Sequence, residues 1–317
     1  MKKLIFILFL VSCKKTETTP PATLDQAIQI VAATNTASQN SLCTAIQPFY
    51  WEIGSSTAKI TGASVGSTPP DATGVLQIAS ASKWIFASYV VEKLNGVLSA
   101  PIIAGLNFTA GYSGFTSCAL YSTISACYTA VTTFNAADNN KFYYSGGDMQ
   151  KIAHTATDLN IGSMTAAALT TEVKNYIGSD VPITFNIPQP AGGILASANT
   201  YAVFLKKIMN GTLKMSSFLS SNLTCTNVTS CPTSNYTPIP NTEAWTYGLG
   251  HWIENDPVAG DNAFSSPGLY GFYPWISADK SLYGILSRYN NTSPTAYWDS
   301  VQCGRVIRKA FVTGIQQ

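Results

Sequence analysis

Histidine is nearly missing from this chain, two in 317 residues, and its seven cysteines contain no Cys-x-x-Cys pair. A protein zinc site needs several Cys, His or carboxylate ligands at short spacings, so no metal centre is expected. Charge is scarce as well: Asp, Glu, Lys and Arg together make up 11%. The net charge is only +2, and the two signs balance once Lys2 and Lys3 are set aside. Such a chain has no electrostatic footprint for nucleic acid. After Val11 no run is long and apolar enough to cross a bilayer. The one Gly-x-Ser-x-Gly pattern, Gly62 to Gly66, closes the strand-like run Ala58 to Val65 and opens no helix, so it is not the strand-to-helix elbow that seats a Ser-His-Asp triad. His154 and His251 are accordingly read as packing or surface residues, and no cofactor, metal or organic, is expected. No internal repeat is found.

What is there begins with Met1-Lys2-Lys3 and the apolar run Leu4 to Val11, a short positive segment before a hydrophobic one. It ends in Leu10-Val11-Ser12-Cys13, which resembles a bacterial lipobox and implies cleavage before Cys13 and lipidation of its sulfur. A plain secretory signal with an incidental cysteine is the competing reading. Lys14 to Ala22, rich in Thr and Pro, reads as a tether. The expected organisation is a signal over 1–12, a lipidated tether over 13–23, and one folded domain over 24–317. The expected place is the cell envelope of a bacterium, at the periplasmic face or outer surface, with the membrane touched only through the anchor. A monomer is expected.

Cysteine parity agrees with export. If Cys13 carries lipid, an even set remains. Cys118 and Cys127 flank a short loop, as do Cys225 and Cys231. Cys43 and Cys303 are left to pair, which would tie the N-terminal region to the last helix.

The sharpest chemical signal is Ser80-Ala81-Ser82-Lys83, directly after the strand-like run Val75 to Ala79. Residues three apart share a helix face, so the Lys83 amine can reach the Ser80 hydroxyl. Serine is a poor nucleophile without an adjacent base. Lysine serves as one only if burial or nearby positive charge lowers its pKa from about 10.4. The same tetrad recurs at Ser12–Lys15, Ser56–Lys59 and Ser277–Lys280. Only Ser80 sits between a strand and an amphipathic helix, with Phe86, Val90 and Leu94 on one face and a stop at Asn95-Gly96. The competing reading is an N-cap serine with a solvated lysine.

Periodicity predicts helices near Leu24–Ala33, Gly147–Leu159, Ser197–Met209 and Pro294–Phe311. Strands are predicted near Ala45–Ile53, Ala58–Val65, Ala244–Ile253, Gly271–Ser277 and Ser281–Tyr289. Ser99 to Asn140 and Ser216 to Thr242 show little pattern and are expected to wall the cleft. Strands at both ends with helices between them indicate an α+β fold, one antiparallel sheet plus a helical subdomain. The sheet part would come from 24–78 and 244–317, the helical part from 79–243.

This order, with Ile78-Ala79-Ser80-Ala81-Ser82-Lys83, resembles the serine β-lactamase and penicillin-binding protein superfamily, in particular its class C β-lactamase and esterase branch. Tyr144-Ser145-Gly146-Gly147-Asp148 is similar to the second motif, Tyr-Ser-Asn. Ala191-Gly192-Gly193-Ile194-Leu195-Ala196-Ser197 is similar to the Gly-Gly-x-x-Ser/Thr segment. Tyr247-Gly248-Leu249-Gly250-His251-Trp252 is similar to the Tyr-Gly-Leu-Gly-Trp strand. Ser266-Pro267-Gly268-Leu269 occupies the place of the third motif, Lys-Thr-Gly or His-x-Gly. The resemblance spans about Ala45 to Phe311. It implies a β-lactamase/transpeptidase-like fold with a five-stranded antiparallel sheet.

By that resemblance Ser80 is the nucleophile and Lys83 with Tyr144 the general base and acid, Tyr143 being a register-shifted rival for Tyr144. The N–H groups of Ser80 and Leu269 would form the oxyanion hole, and Gly146, Ser266 and Gly268 would line the substrate site. Two motifs depart from the pattern. The family's asparagine is replaced by Gly146, which loses a contact to the lysine unless Ser145 or Asp148 substitutes. Asp148 is expected to face the first turn of its helix; stabilising Lys83 as ammonium is the other option. Ser266 replaces a cation, which disfavours substrates with a carboxylate. The implied activity is hydrolysis of a small-molecule or cell-wall-derived ester or amide, β-lactam and peptide-like bonds included, through an acyl-enzyme. A binding lipoprotein that keeps the fold and has lost catalysis is the alternative.

Overall fold

The structure, a computed structural model, describes residues 25–317. The signal, Cys13 and the tether lie outside the described residues. Eight strands form one antiparallel sheet: β1 (Phe49–Gly54), β2 (Lys59–Val65), β3 (Thr224–Cys225), β4 (Thr246–Gly248), β5 (His251–Ile253), β6 (Phe264–Ser265), β7 (Tyr273–Ile276) and β8 (Tyr283–Ser287). Their order across the sheet is β2-β1-β8-β7-β6-β5-β4-β3.

The implied count of five strands is therefore corrected to eight. The predicted strand Ala244–Ile253 is in fact the hairpin β4–β5. It turns at Leu249 and Gly250, whose φ angles are +42° and +85°, the left-handed pair that matches strand twist in a tight hairpin. β3 and β6 are two residues long each, too short to show a period of two.

Among the described residues eight helices longer than one turn accompany the sheet: α1 (Gln26–Gln39), α2 (Ser82–Lys93), α3 (Ala100–Leu106), α4 (Ile124–Val131), α5 (Gly147–Thr155), α6 (Ala166–Ile177), α7 (Ala198–Met209) and α8 (Ala296–Thr313). Asp25 caps α1 by accepting from Ala27 N. α1 and α8 pack on each other, and α8 also meets β7 and β8. Neighbouring strand residues point to opposite faces. Tyr273 lies against Gly304 of α8 while Phe272 stacks near Tyr201 of α7, so these helices cover opposite sides. α2 is buried along nearly its whole length, which makes it the central helix of the molecule. Among the described residues no helix is long and apolar enough to cross a membrane.

α3, α4 and α6 fall in stretches without a predicted helix. α6 buries a strip only three residues wide, Leu169, Val173 and Ile177, in a Thr-rich context that weakens the pattern. α4 starts at its Thr123 cap and is held by the Cys118–Cys127 bridge.

On the α8 side Glu254 is wholly buried. It accepts from Arg308 Nη2 at 2.8 Å, Arg305 Nε at 2.9 Å and Tyr273 Oη at 2.6 Å. Burial opposes its charge, but the Arg308 and Arg305 cations hold its carboxyl down to about 2. The three disulfides pair as the sequence suggests: Cys43–Cys303, Cys118–Cys127 and Cys225–Cys231. The first closes a span of 260 residues. Replacing Cys43 and Cys303 together by Ser should lower the unfolding free energy by about 2–5 kcal/mol, read from denaturant midpoints at constant m-value.

Candidate active site

The segment that carries Ser80 is held from all sides by backbone and hydroxyl contacts. Ala79 adopts φ +44°, an unusual and strained value for a residue with a side chain. Ala79–Ala81 then form a 3-10 turn, and α2 begins only at Ser82. Ser80 therefore sits just before the helix rather than opening it. Ile78 N donates to Ile194 O at 3.1 Å, and Tyr201 Oη donates to Ala81 O at 2.9 Å. Ser82 Oγ accepts from Ile194 N at 3.2 Å.

Lys83 lies one turn on, 4% exposed. Its Nζ is 2.9 Å from Ser80 Oγ and donates to Ala191 O at 3.0 Å. The amine also stands 4.7 Å from the Tyr144 ring centre and 5.7 Å from that of Phe108. No carboxylate among the described residues forms an ion pair with it. Burial disfavours the ammonium and pushes its pKa down to about 7. Tyr144 completes the group, with Ser80 and Trp252 interacting with its hydroxyl. Burial raises its pKa far more than those two contacts lower it, so the phenol keeps its proton at neutral pH. The two groups are thus sorted by environment: Lys83 can accept a proton, and Tyr144 can carry and donate one.

Gly268 brings the neighbouring loop against this turn. A Cβ at Gly268 would lie 2.1 Å from Ile78 O, so only glycine allows the approach. The N–H groups of Ser80 and Leu269 make no hydrogen bond among the described residues. Two such donors beside a nucleophile suit a developing oxyanion.

The remaining predicted positions are placed differently from one another. Gly146 lies beneath the Phe115 ring, where an added Cβ would come within 2.6 Å of a ring carbon. Ser145 Oγ accepts from Gly147 N at 3.2 Å and does not meet Lys83. Asp148 does not meet it either. Its carboxylate accepts from Ala110 N at 2.9 Å and Tyr112 N at 2.7 Å, which anchors the loop carrying Phe115. Burial pushes the Asp148 pKa up to about 6 against those bonds. Besides Ser80 Oγ, the hydrogen-bond partner of the Lys83 amine is the Ala191 carbonyl. Ser266 is buried, and its hydroxyl donates to Ser80 O at 3.2 Å; it braces the Ser80 backbone and does not open to the cleft.

A cavity of about 50 Å³ opens at Ser80 and Tyr144. Pro238, Ile239, Trp252, Pro267, Leu269 and Tyr297 complete its lining, with no charged side chain among them. Tyr297 Oη donates to Pro238 O at 2.7 Å, which ties the start of α8 to the 216–242 loop across the pocket. Sequence reasoning placed a wall in that loop but missed Tyr297, Trp252 and the Ala191 carbonyl. Ala191 lies in a quoted motif, whereas a backbone acceptor leaves no side-chain signature.

His251 is fully buried; its Nε2 lies 2.9 Å from Leu219 O and its ring stacks on Trp84 at 5.1 Å. Burial pushes its pKa down to about 4, which leaves a neutral structural imidazole. His154 pairs with Ser125 Oγ at 2.8 Å and stacks on Tyr128, apart from Ser80.

No family model matches the chain, and no curated protein matches its sequence. Solved structures do match. The hydrolase EstCE1, with promiscuous acyltransferase activity, gives a TM-score of 0.66 at 10% identity, covering 91% of this chain and 100% of that one. The octameric penicillin-binding protein homologue from Pyrococcus abyssi gives 0.62 at 13% identity, over 86% of this chain and 74% of that one. The D-amino acid amidase from Ochrobactrum anthropi SV3 gives 0.61 at 10% identity, over 89% and 99%. The chain has the β-lactamase/penicillin-binding protein fold.

Gly146→Asn alone should destabilise the protein by about 1–3 kcal/mol through collision with Phe115. Combining it with Phe115→Ala should recover part of that loss, a positive coupling read from a double-mutant cycle of thermal or urea unfolding.

Proposed function

We propose that the chain is a serine hydrolase that cleaves an ester or amide by acyl transfer. One observation carries this reading: Lys83 is buried against Ser80 with no counter-ion. A solvated lysine, as a purely structural serine turn would allow, is not what the side chain does, so the reading as an inactive binding protein gains no support.

In the proposed mechanism neutral Lys83 takes the Ser80 proton while Oγ attacks the carbonyl carbon. The Ser80 and Leu269 N–H groups hold the oxyanion. Tyr144, protonated and adjacent, passes the proton to the departing oxygen or nitrogen. Water then attacks the acyl-Ser80, with Lys83 as base, and the hydroxyl is restored. A pocket without a charged wall favours a substrate with no carboxylate beside the scissile bond, since an unpaired buried carboxylate costs on the order of 1–3 kcal/mol. Penicillins are therefore poor candidates. The named activities of EstCE1 and the D-amino acid amidase agree with ester or amide chemistry on this fold.

The same proposal places the protein outside the cytoplasm, anchored at Cys13 in a bacterial envelope. Three disulfides fit an oxidising compartment.

Intact-mass labelling with a fluorophosphonate should give one adduct, lost in Ser80→Ala and in Lys83→Ala. An unlabelled but folded wild type would overturn the reading. Hydrolysis of p-nitrophenyl acetate should depend on unprotonated Lys83. Its kcat/KM should fall about tenfold per pH unit below about 7 and level off above, with Lys83→Met reducing it by about 10²–10⁴-fold.

A further inference from the structure

At the base of the pocket the space that the centre of a water-sized sphere can reach beside Ser80 is only about 50 Å³, against the ~10–15 Å³ that one water needs on the same measure; a short acyl group fits it. Next to the pocket's lining residues in the chain stand two tyrosine pairs, each with one exposed ring. Tyr270 follows the pocket residue Leu269 and packs on Tyr289 at 4.9 Å, and Tyr289 is 43% exposed. On the other side Tyr236 packs on Tyr143 at 5.2 Å and is 47% exposed. Its carbonyl accepts from Tyr144 N at 3.1 Å, so this second pair is fixed to the nucleophile's partner.

Four tyrosines flanking a small neutral pocket make a platform with apolar faces and hydroxyl edges. A pyranose ring has the same division, C–H groups on its faces and hydroxyls around its rim. Aliphatic alcohols would leave the hydroxyl edges unused, and anionic polymers would find no cation in the lining. We infer that the substrate is a short-chain acyl ester, an acetate above all, of a neutral carbohydrate. The acetyl group enters the pocket and the sugar rests on the tyrosine pairs. The inference rests on the hydrolase reading and narrows it.

In the step itself Ser80 Oγ bonds to the acetyl carbon and the bond from that carbon to the sugar oxygen breaks. The Ser80 proton travels through Lys83 and Tyr144 to that oxygen. Water then splits acetyl-Ser80 into acetate and a proton, and no other reactant is needed.

The test compares kcat/KM for O-acetylated xylotetraose, ethyl acetate and benzyl acetate, using the folded, disulfide-intact protein, with p-nitrophenyl acetate as an activated reference. The acetylated oligosaccharide should exceed ethyl acetate and benzyl acetate by at least about tenfold. Tyr289→Ala and, separately, Tyr236→Ala should each reduce that preference several-fold, through KM. Equal rates for the three acetates, or a preference for benzyl acetate, would overturn the carbohydrate assignment while p-nitrophenyl acetate turnover kept the hydrolase reading. Loss of all turnover together with no fluorophosphonate adduct would overturn both.

Discussion

Burying the Lys83 amine beside Ser80, with no carboxylate in contact, sets terms that the surrounding residues meet one by one. Removing an ammonium from water costs several kcal/mol even after relaxation, so burial brings the pKa of this group down to about 7 and the free amine becomes populated near neutral pH. A neutral amine still needs hydrogen-bond partners. It finds them in Ser80 Oγ and the Ala191 carbonyl. Those partners must then be held in place: Ile194, close after Ala191, bonds to both Ile78 and Ser82, and Tyr201 bonds to Ala81. The two aromatic rings near the amine, Tyr144 and Phe108, exclude water without supplying a charge.

The departures from the second and third motifs that the sequence resembles follow one electrostatic direction. A lysine or histidine in the third motif would add positive charge beside Lys83, and an asparagine in the second would give it another side-chain acceptor. Ser266 and Gly146 do neither. The first is turned onto Ser80's carbonyl, and the second makes room for Phe115. Hydroxyls, carbonyls and rings replace charges throughout, which matches a chain with so few charged residues overall. Desolvation alone tunes the lysine in this site.

The parts of the molecule that could be read in the sequence were those with local signatures. Ser80 and Lys83 share a helical spacing, the cysteine pairs follow from parity and spacing, and long helices such as α7 and α8 declare themselves by periodicity. The β4–β5 hairpin did not, because a two-residue turn at Leu249-Gly250 hides inside an apolar run. Tyr297 joins the pocket from the far end of the chain, and Asp148 serves a loop more than thirty residues away. Such contacts arise from tertiary closure, and no spacing rule encodes them. The burial of Lys83 is of the same kind: its neighbours in sequence are Ser82 and Trp84, but its dielectric surroundings come from residues 108, 144 and 191.

The Cys43–Cys303 bridge has a mechanical meaning. A force applied between Asp25 and Gln317 runs through α1 to Cys43, crosses the sulfurs, and leaves through the end of α8. Everything between those two cysteines, including the whole sheet and the Ser80 turn, hangs as a closed loop off the line of tension. Pulling the ends apart strains a covalent bond before it can unzip a strand, so Ser80, Lys83 and Tyr144 would keep their spacing while the termini are under load.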